Sequence, residues 1–259
     1  MRTARAAARG LIACLLLALA PAASAETLIT SLSRHRVTIN SNYTGTSIAV
    51  FGSVERDAQT ISRATSYAVV VTVRGPQQSL VVREKGAVGP VWINREQQKF
   101  PTAPAYLAVF SSGPLEEFTT DILRQRQRIG LEAIVFGPDF TNDRGGADEP
   151  FRAALLRLKQ REGLYLMDER GVTFLTPTIF RCEIPLPAIA PPGNYDVEVV
   201  LFADSVALTR TQTSFELVKS GFEQQVGEIA RDRSGLYGLA TGAFALLFGW
   251  IASVIFRRD

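Results

Sequence analysis

The chain has 259 residues, with 28 Lys plus Arg against 25 Asp plus Glu, one His and two Cys. Arg2, Arg5 and Arg9 lie in residues 1–25, and Arg257, Arg258 and Asp259 stand at the far end, so residues 26–234 hold 23 basic and 24 acidic groups. A nearly neutral body excludes a general nucleic-acid binder, one His excludes a multi-histidine metal centre, and two Cys exclude a disulfide framework or a four-Cys zinc site.

Residues 1–25 have the pattern of a secretory signal peptide. A positive stretch through Arg9 precedes the apolar run Leu11–Ala20, about ten residues against the roughly 20 that span a bilayer. Pro21 breaks the run and Ala23-Ser24-Ala25 offers a small-residue cleavage site, making Glu26 the first mature residue. Cys14 sits inside the apolar run rather than after it, which argues against a lipoprotein box. Cleavage after Ala25 leaves Cys182 as the one thiol.

Next come stretches of period two. Val37 and Ile39 share a face, as do Ile48 and Val50; Tyr67, Val69, Val71 and Val73 oppose Ala68, Val70, Thr72 and Arg74. Phe180, Cys182 and Ile184 alternate with Arg181 and Glu183, and Tyr195, Val197, Val199 and Leu201 with Asp196, Glu198, Val200 and Phe202. One apolar face and one mixed face predict antiparallel sheet covered on one side. Arg74-Gly75-Pro76, Gly89-Pro90 and Pro191-Pro192-Gly193-Asn194 supply turns. The last opens a strand into Leu201, a common corner of immunoglobulin-like sandwiches.

The middle is helical. Pro114–Arg128 places Leu115, Phe118 and Ile122 on one stripe with Gly130 as C-cap, and Pro150–Glu162 places Phe151, Leu155 and Leu158 on another, ended by Gly163. Gly130–Phe136 between them reads as one more strand. The expected class is mainly β: an immunoglobulin-like β-sandwich ectodomain with a helical middle segment, plus one C-terminal transmembrane helix. Residues 26–234 exceed one immunoglobulin-like module of about 100 residues, which leaves two modules or one interrupted sandwich. The pattern favours two β-rich regions, 26–113 and 164–219, around a helical insertion or linker at 114–163. A juxtamembrane helix at 220–235 follows, on Phe222, Val226 and Ile229.

Candidate chemistry is sparse. Cys182 shares a face with Phe180 and Ile184, so burial is the simpler expectation than a reactive thiolate. His35 stands between Arg34 and Arg36 with no carboxylate to orient it as a base. The loop Asp139–Glu149 fails the calcium-loop pattern, with Arg144 where glycine is needed and Pro150 where Glu is needed. Glu116 and Glu117 are neighbours on a helix, about 100° apart, and do not form an acid–base pair. Arg124, Arg126 and Arg128 with Arg152, Arg157, Lys159 and Arg161 form either an anion-binding or lipid-facing surface or a solvated one. Asn42-Tyr43-Thr44 matches a glycosylation sequon. No catalytic, cofactor or metal residues are assigned.

Leu236–Phe256 has 21 residues and no charge, roughly 31 Å of helix against a bilayer core of about 30 Å. A signal peptide followed by a stop-transfer span orients the body outward and leaves 257–259 as a cytoplasmic tail. Gly235, Gly238, Gly242, Ala245, Gly249 and Ala252 recur at spacings of 3 and 4, a stripe of small residues of the kind on which membrane helices associate. The expected partner is another transmembrane helix, in a polytopic protein or a second copy.

Gly89-Pro90-Val91-Trp92-Ile93-Asn94, Phe180–Pro187, Pro192-Gly193-Asn194-Tyr195, and Leu236-Tyr237-Gly238-Leu239 through Gly249-Trp250 carry a resemblance. Over essentially the whole mature chain, the sequence resembles a functionally uncharacterised family of alphaproteobacterial transmembrane proteins. The resemblance implies an inner-membrane anchor and a periplasmic body, and an association with sulfite-exporter-type permeases; it carries no catalytic residues. The expected function is a membrane-anchored periplasmic module that binds protein or ligand beside a polytopic membrane protein. The alternative is an envelope enzyme using Cys182 or the 139–149 carboxylates.

Overall fold

The computed structural model describes residues 26–39, 44–56, 67–137, 140, 149–219 and 234–255. The signal peptide, Asn42 and Tyr43 of the sequon, most of the 139–149 loop, nearly all of the juxtamembrane segment and the cytoplasmic tail fall outside them.

Two sheets enclose one core. The first has the order β1-β3-β10-β9, from Glu26–Leu32, Gly45–Arg56, Ile179–Pro187 and Val172–Phe174, with every neighbouring pair antiparallel. Its alternation is the one read from the sequence: Phe180, Cys182, Ile184 and Leu186 point inward with Ile48 and Val50, and Arg181 and Glu183 outward. Gly52 pairs with Phe180, and a Cβ there would lie 2.1 Å from the ring's Cζ. Only glycine leaves room for the phenyl group to cross its neighbouring strand.

The second sheet has the order β2-β12-β11-β4-β7-β8, from Arg36–Ile39, Val206–Lys219, Gly193–Ala203, Ala68–Arg74, Leu107–Ser111 and Tyr165–Asp168. Its outer pairs, β2 with β12 and β7 with β8, are parallel. Each sheet takes strands from both β-rich regions, so 26–113 and 164–219 build one body, not two modules. The expected mixed face on this sheet is also corrected: Val70, Thr72, Glu198, Val200 and Phe202 are buried like Val69, Val71, Val197 and Val199 on the opposite face. The cause is a helical layer on the outer face, where the rings of Phe118 and Phe202 meet at 5.6 Å. A strand covered on both sides needs no alternation.

That layer differs from the two helices expected. Pro114–Arg128 divides into α1 (Leu115–Phe118) and α2 (Asp121–Gln127), because Thr119 is extended and Thr120 caps α2 through its side chain. Ile122 is thereby turned to solvent instead of joining the Leu115 stripe. Arg128, not Gly130, takes the left-handed C-cap at φ 57°. Gly130–Phe136, expected as a strand, holds α3 (Leu131–Val135), whose buried Leu131, Ile134 and Val135 recur at helical spacing. In α4 (Glu149–Arg161) the buried residues are Leu155 and Arg152, while Leu158 is exposed. The Arg152 guanidinium donates to the carbonyls of Val135 and Gly137 at 3.3 and 3.1 Å, tying α4 to the unsatisfied end of α3.

Residues read only as turns around Gly89-Pro90 form a hairpin of their own, β5 (Gln77–Val88) paired with β6 (Val91–Pro104). The chain's last described element, α5, runs Ser234–Ile255, 22 residues without a charge. Among the described residues no helix is long and apolar enough to cross a membrane, and side chains along α5 are described without a break only over 241–253.

Candidate interaction surfaces

Among the described residues the polar candidates do not converge on a site. Cys182 is a free, buried thiol on β10, facing Val50 and Val172 across the ladder. Burial, helped by the negative charges of Asp168 and Glu183, pushes its pKa up from 9.0 to about 12, so it stays a neutral thiol at ordinary pH. His35 is exposed, and its carbonyl accepts from the amide of Glu216. Glu116 and Glu117 are exposed on α1. Among the described residues no group of three or more His, Cys, Asp or Glu is arranged to hold a metal.

The arginine cluster is dispersed as well. α2 and α4 each pack on α3. Arg124 is paired with Asp121, Arg152 is spent on carbonyls, and Lys159 meets Glu162 at 2.8 Å. Arg126 on α2 is left exposed, as are Arg157 and Arg161, one turn apart on α4. Another arginine pair is structural. Glu198, buried on β11, accepts from Arg74 at 3.0 Å and Arg210 at 2.7 Å and ties three adjacent strands together.

Buried tyrosines brace the chain on proline carbonyls. Tyr195 donates to Pro191 at 2.6 Å, Tyr106 to Pro185 at 2.6 Å and Tyr165 to Pro104 at 2.8 Å. Tyr195 also stacks on Phe215 at 5.0 Å. The turn Pro191–Asn194 is thus fixed by the first residue of the strand face it opens.

Two elements among the described residues concentrate exposed apolar side chains. The first is the hairpin. Its neck is closed by Gly75 N–H on Tyr106 O and Ala105 N–H on Pro76 O, both at 2.8 Å, so β5–β6 continues the β4–β7 pair past the end of the sheet. Near the neck Val82 and Phe100 are buried, and Phe100 meets Phe140 at 5.9 Å. Beyond them the ribbon stands free. At its tip Gly89 adopts φ 62°, and Val88, Val91, Trp92 and Ile93 are 53, 57, 70 and 44% exposed. The sequence signal for it was a two-residue, glycine-containing loop between β-prone runs.

The second is α5. Leu239, Phe244, Leu246, Leu247, Phe248 and Trp250 are all exposed. So are Gly235, Gly238, Gly242, Ala245, Gly249 and Ala252, and a Cβ built on any of the four glycines meets nothing within 4 Å. The six small residues are thus exposed, and nothing packs against the four glycines.

No curated protein matches the chain in a comparison with that set. A family model does, over residues 27–258, which takes in both sheets, the hairpin and α5. The chain belongs to the family described as "Putative transmembrane protein (Alph_Pro_TM)".

Proposed function

We propose that this protein is a single-pass inner-membrane protein whose immunoglobulin-like body stands in the periplasm and binds another protein, beside a polytopic membrane protein such as a permease, without catalysing a reaction. The observation that carries the proposal is α5, an uncharged helix of 22 residues with large apolar side chains exposed along it. Leaving a Leu or Phe in water forgoes about 1.5–3 kcal/mol of burial, so such a helix calls for an apolar surrounding. The family's own description adds membrane association. The signal-peptide pattern of residues 1–25 supports a periplasmic body with the C-terminus in the cytoplasm.

Strand order supports the immunoglobulin-like assignment. β1-β3-β10-β9 repeats the A-B-E-D sheet and β12-β11-β4-β7 the G-F-C-C′ sheet, in the matching chain order. Tyr195 at the start of the F-equivalent strand, bonded back to Pro191, takes the place of the tyrosine corner. In this scheme the hairpin is an insertion between C and C′, and the helical layer follows C′.

The exposed glycines support a helix partner, because close backbone approach is what holds helices together where the solvent is lipid. Replacing Gly238 and Gly242 with Leu puts bulk on that stripe. In mild-detergent purification of the full chain, a stoichiometric polytopic partner recovered with the wild type is expected to be lost from the double variant. Unchanged recovery removes the stripe from the interface. A wild type that purifies alone or only with itself refutes the accessory role.

A further inference from the structure

The hairpin tip raises a separate question, since an exposed apolar tip needs an occupant. Cross-strand partners in an antiparallel ribbon share a face. The register pairs Val88 with Val91 and Gly86 with Ile93 on one face, and Ala87 with Trp92 on the other. Both faces of the tip are therefore apolar. A protein partner approaching from one side requires only one such face, whereas a lipid surface surrounds the tip on all sides. Immediately behind come Lys85 and Arg95, with the Arg95 side chain lying across Gly86, where a Cβ would be 2.0 Å from its Cδ. Over 83–99 the cations Arg83, Lys85, Arg95 and Lys99 outnumber the acids Glu84 and Glu96. Apolar tip, then cationic collar, is the order of acyl chains and anionic headgroups.

The fold puts this tip on the correct end. Arg74 at the end of β4 pairs with Asp196, and Gly193 at the start of the same strand pairs with Leu217, near the end of β12. The hairpin root and the point where the chain leaves for α5 thus share one end of the second sheet. Twelve residues of β5 measure about 40 Å. Residues 220–233 can extend to at most about 50 Å, a tether long enough for the ribbon to reach the bilayer.

Resting on the membrane anchorage proposed above, we propose that Val88–Ile93 is a second membrane contact, inserted at the headgroup boundary of the bilayer that holds α5. The apolar tip, three residues deep on each strand, measures about 10 Å, the depth of that boundary. Trp92 is placed as interfacial tryptophans are.

The chain has two tryptophans, Trp92 and Trp250. The full chain carrying Trp250→Phe is reconstituted in vesicles of phosphatidylethanolamine and phosphatidylglycerol, doped with phosphatidylcholine brominated either near the headgroup or deep in the chain. The expected result is blue-shifted Trp92 emission, most of it lost to shallow bromines and less to deep ones. Val91→Asp with Ile93→Asp is expected to abolish that quenching. The companion Trp92→Phe reports Trp250 in α5. Trp250 quenched by bromolipid while Trp92 is quenched only by aqueous iodide overturns the tip contact and leaves the anchor standing. Neither quenched overturns both. Trp92 shielded from iodide without bromolipid quenching overturns the lipid contact in favour of a protein one.

Discussion

Gly52→Ala tests the packing of the first sheet at its tightest crossing. Gly52 does not have a positive φ, so on backbone grounds alanine belongs there and stiffens the unfolded chain, a gain of about 0.4–1 kcal/mol. Against that stands the Phe180 ring, fully buried, held at 5.8 Å against Phe174, and 2.1–2.8 Å from the position of the new methyl. Forcing a methyl into a filled core costs typically about 1–3 kcal/mol, so the clash prevails and the variant should lose about 1–2 kcal/mol. Phe180→Leu shortens the side chain and removes the three ring atoms that clash, at about 1–2 kcal/mol by itself. The double variant should then be more stable than the sum of the singles by at least about 1 kcal/mol, because the two changes act on one contact. Urea unfolding of the full chain in mild detergent, followed by the β signal in far-ultraviolet circular dichroism, measures all four corners of the cycle. Additive costs, or an alanine variant as stable as wild type, would refute the crossing as described.

Three other changes probe different parts of the body in the same assay. Tyr195→Phe keeps the ring on Phe215 and removes the bond to Pro191, and should cost about 1–2 kcal/mol. Glu198→Gln leaves Arg74 and Arg210 facing a neutral group; with those arginines 32 and 44% exposed, the loss should stay near 1–3 kcal/mol instead of the larger penalty of a fully buried pair. The Cys182 thiol should resist alkylation at pH 8 until urea unfolds the chain. Its folded pKa, about 12, is raised above 9.0, so the stability it contributes is complete below pH 9 and declines as pH rises toward 12. The slope is at most about 1.4 kcal/mol per pH unit, and Cys182→Ala should remove it.

Strands covered on one side were legible from alternation alone: Phe180–Ile184 reads inward and outward as it folds. Where helices cover the second face, as at Val69–Val73, the pattern is a plain apolar run and the sequence does not say which face meets which layer. Leu131–Val135 was misread because five residues fit either period. Of the hairpin only the Gly89-Pro90 turn was legible, since a ribbon in solvent on both faces carries polar residues in no rhythm and its length and free tip leave no pattern. The small-residue stripe can be drawn from the helical period of one element alone, and its role as an interface stays a proposal. The stripe's openness could come only from the coordinates.

The parallel pairing of β2 with β12 constrains the order in which the body can form. Arg36 is held by Glu216, 180 residues later, and the β1-β3 pair is completed on its other side by β10. At about 5–20 residues per second, a ribosome that has made β2 needs roughly 10–40 s to supply β12. Loop-closure entropy weighs against such distant pairings, so the second sheet closes late and slowly. For most of that interval β2 and the edge of β3 that receives β10 have no partner, and they are the segments that a holding chaperone would have to shield.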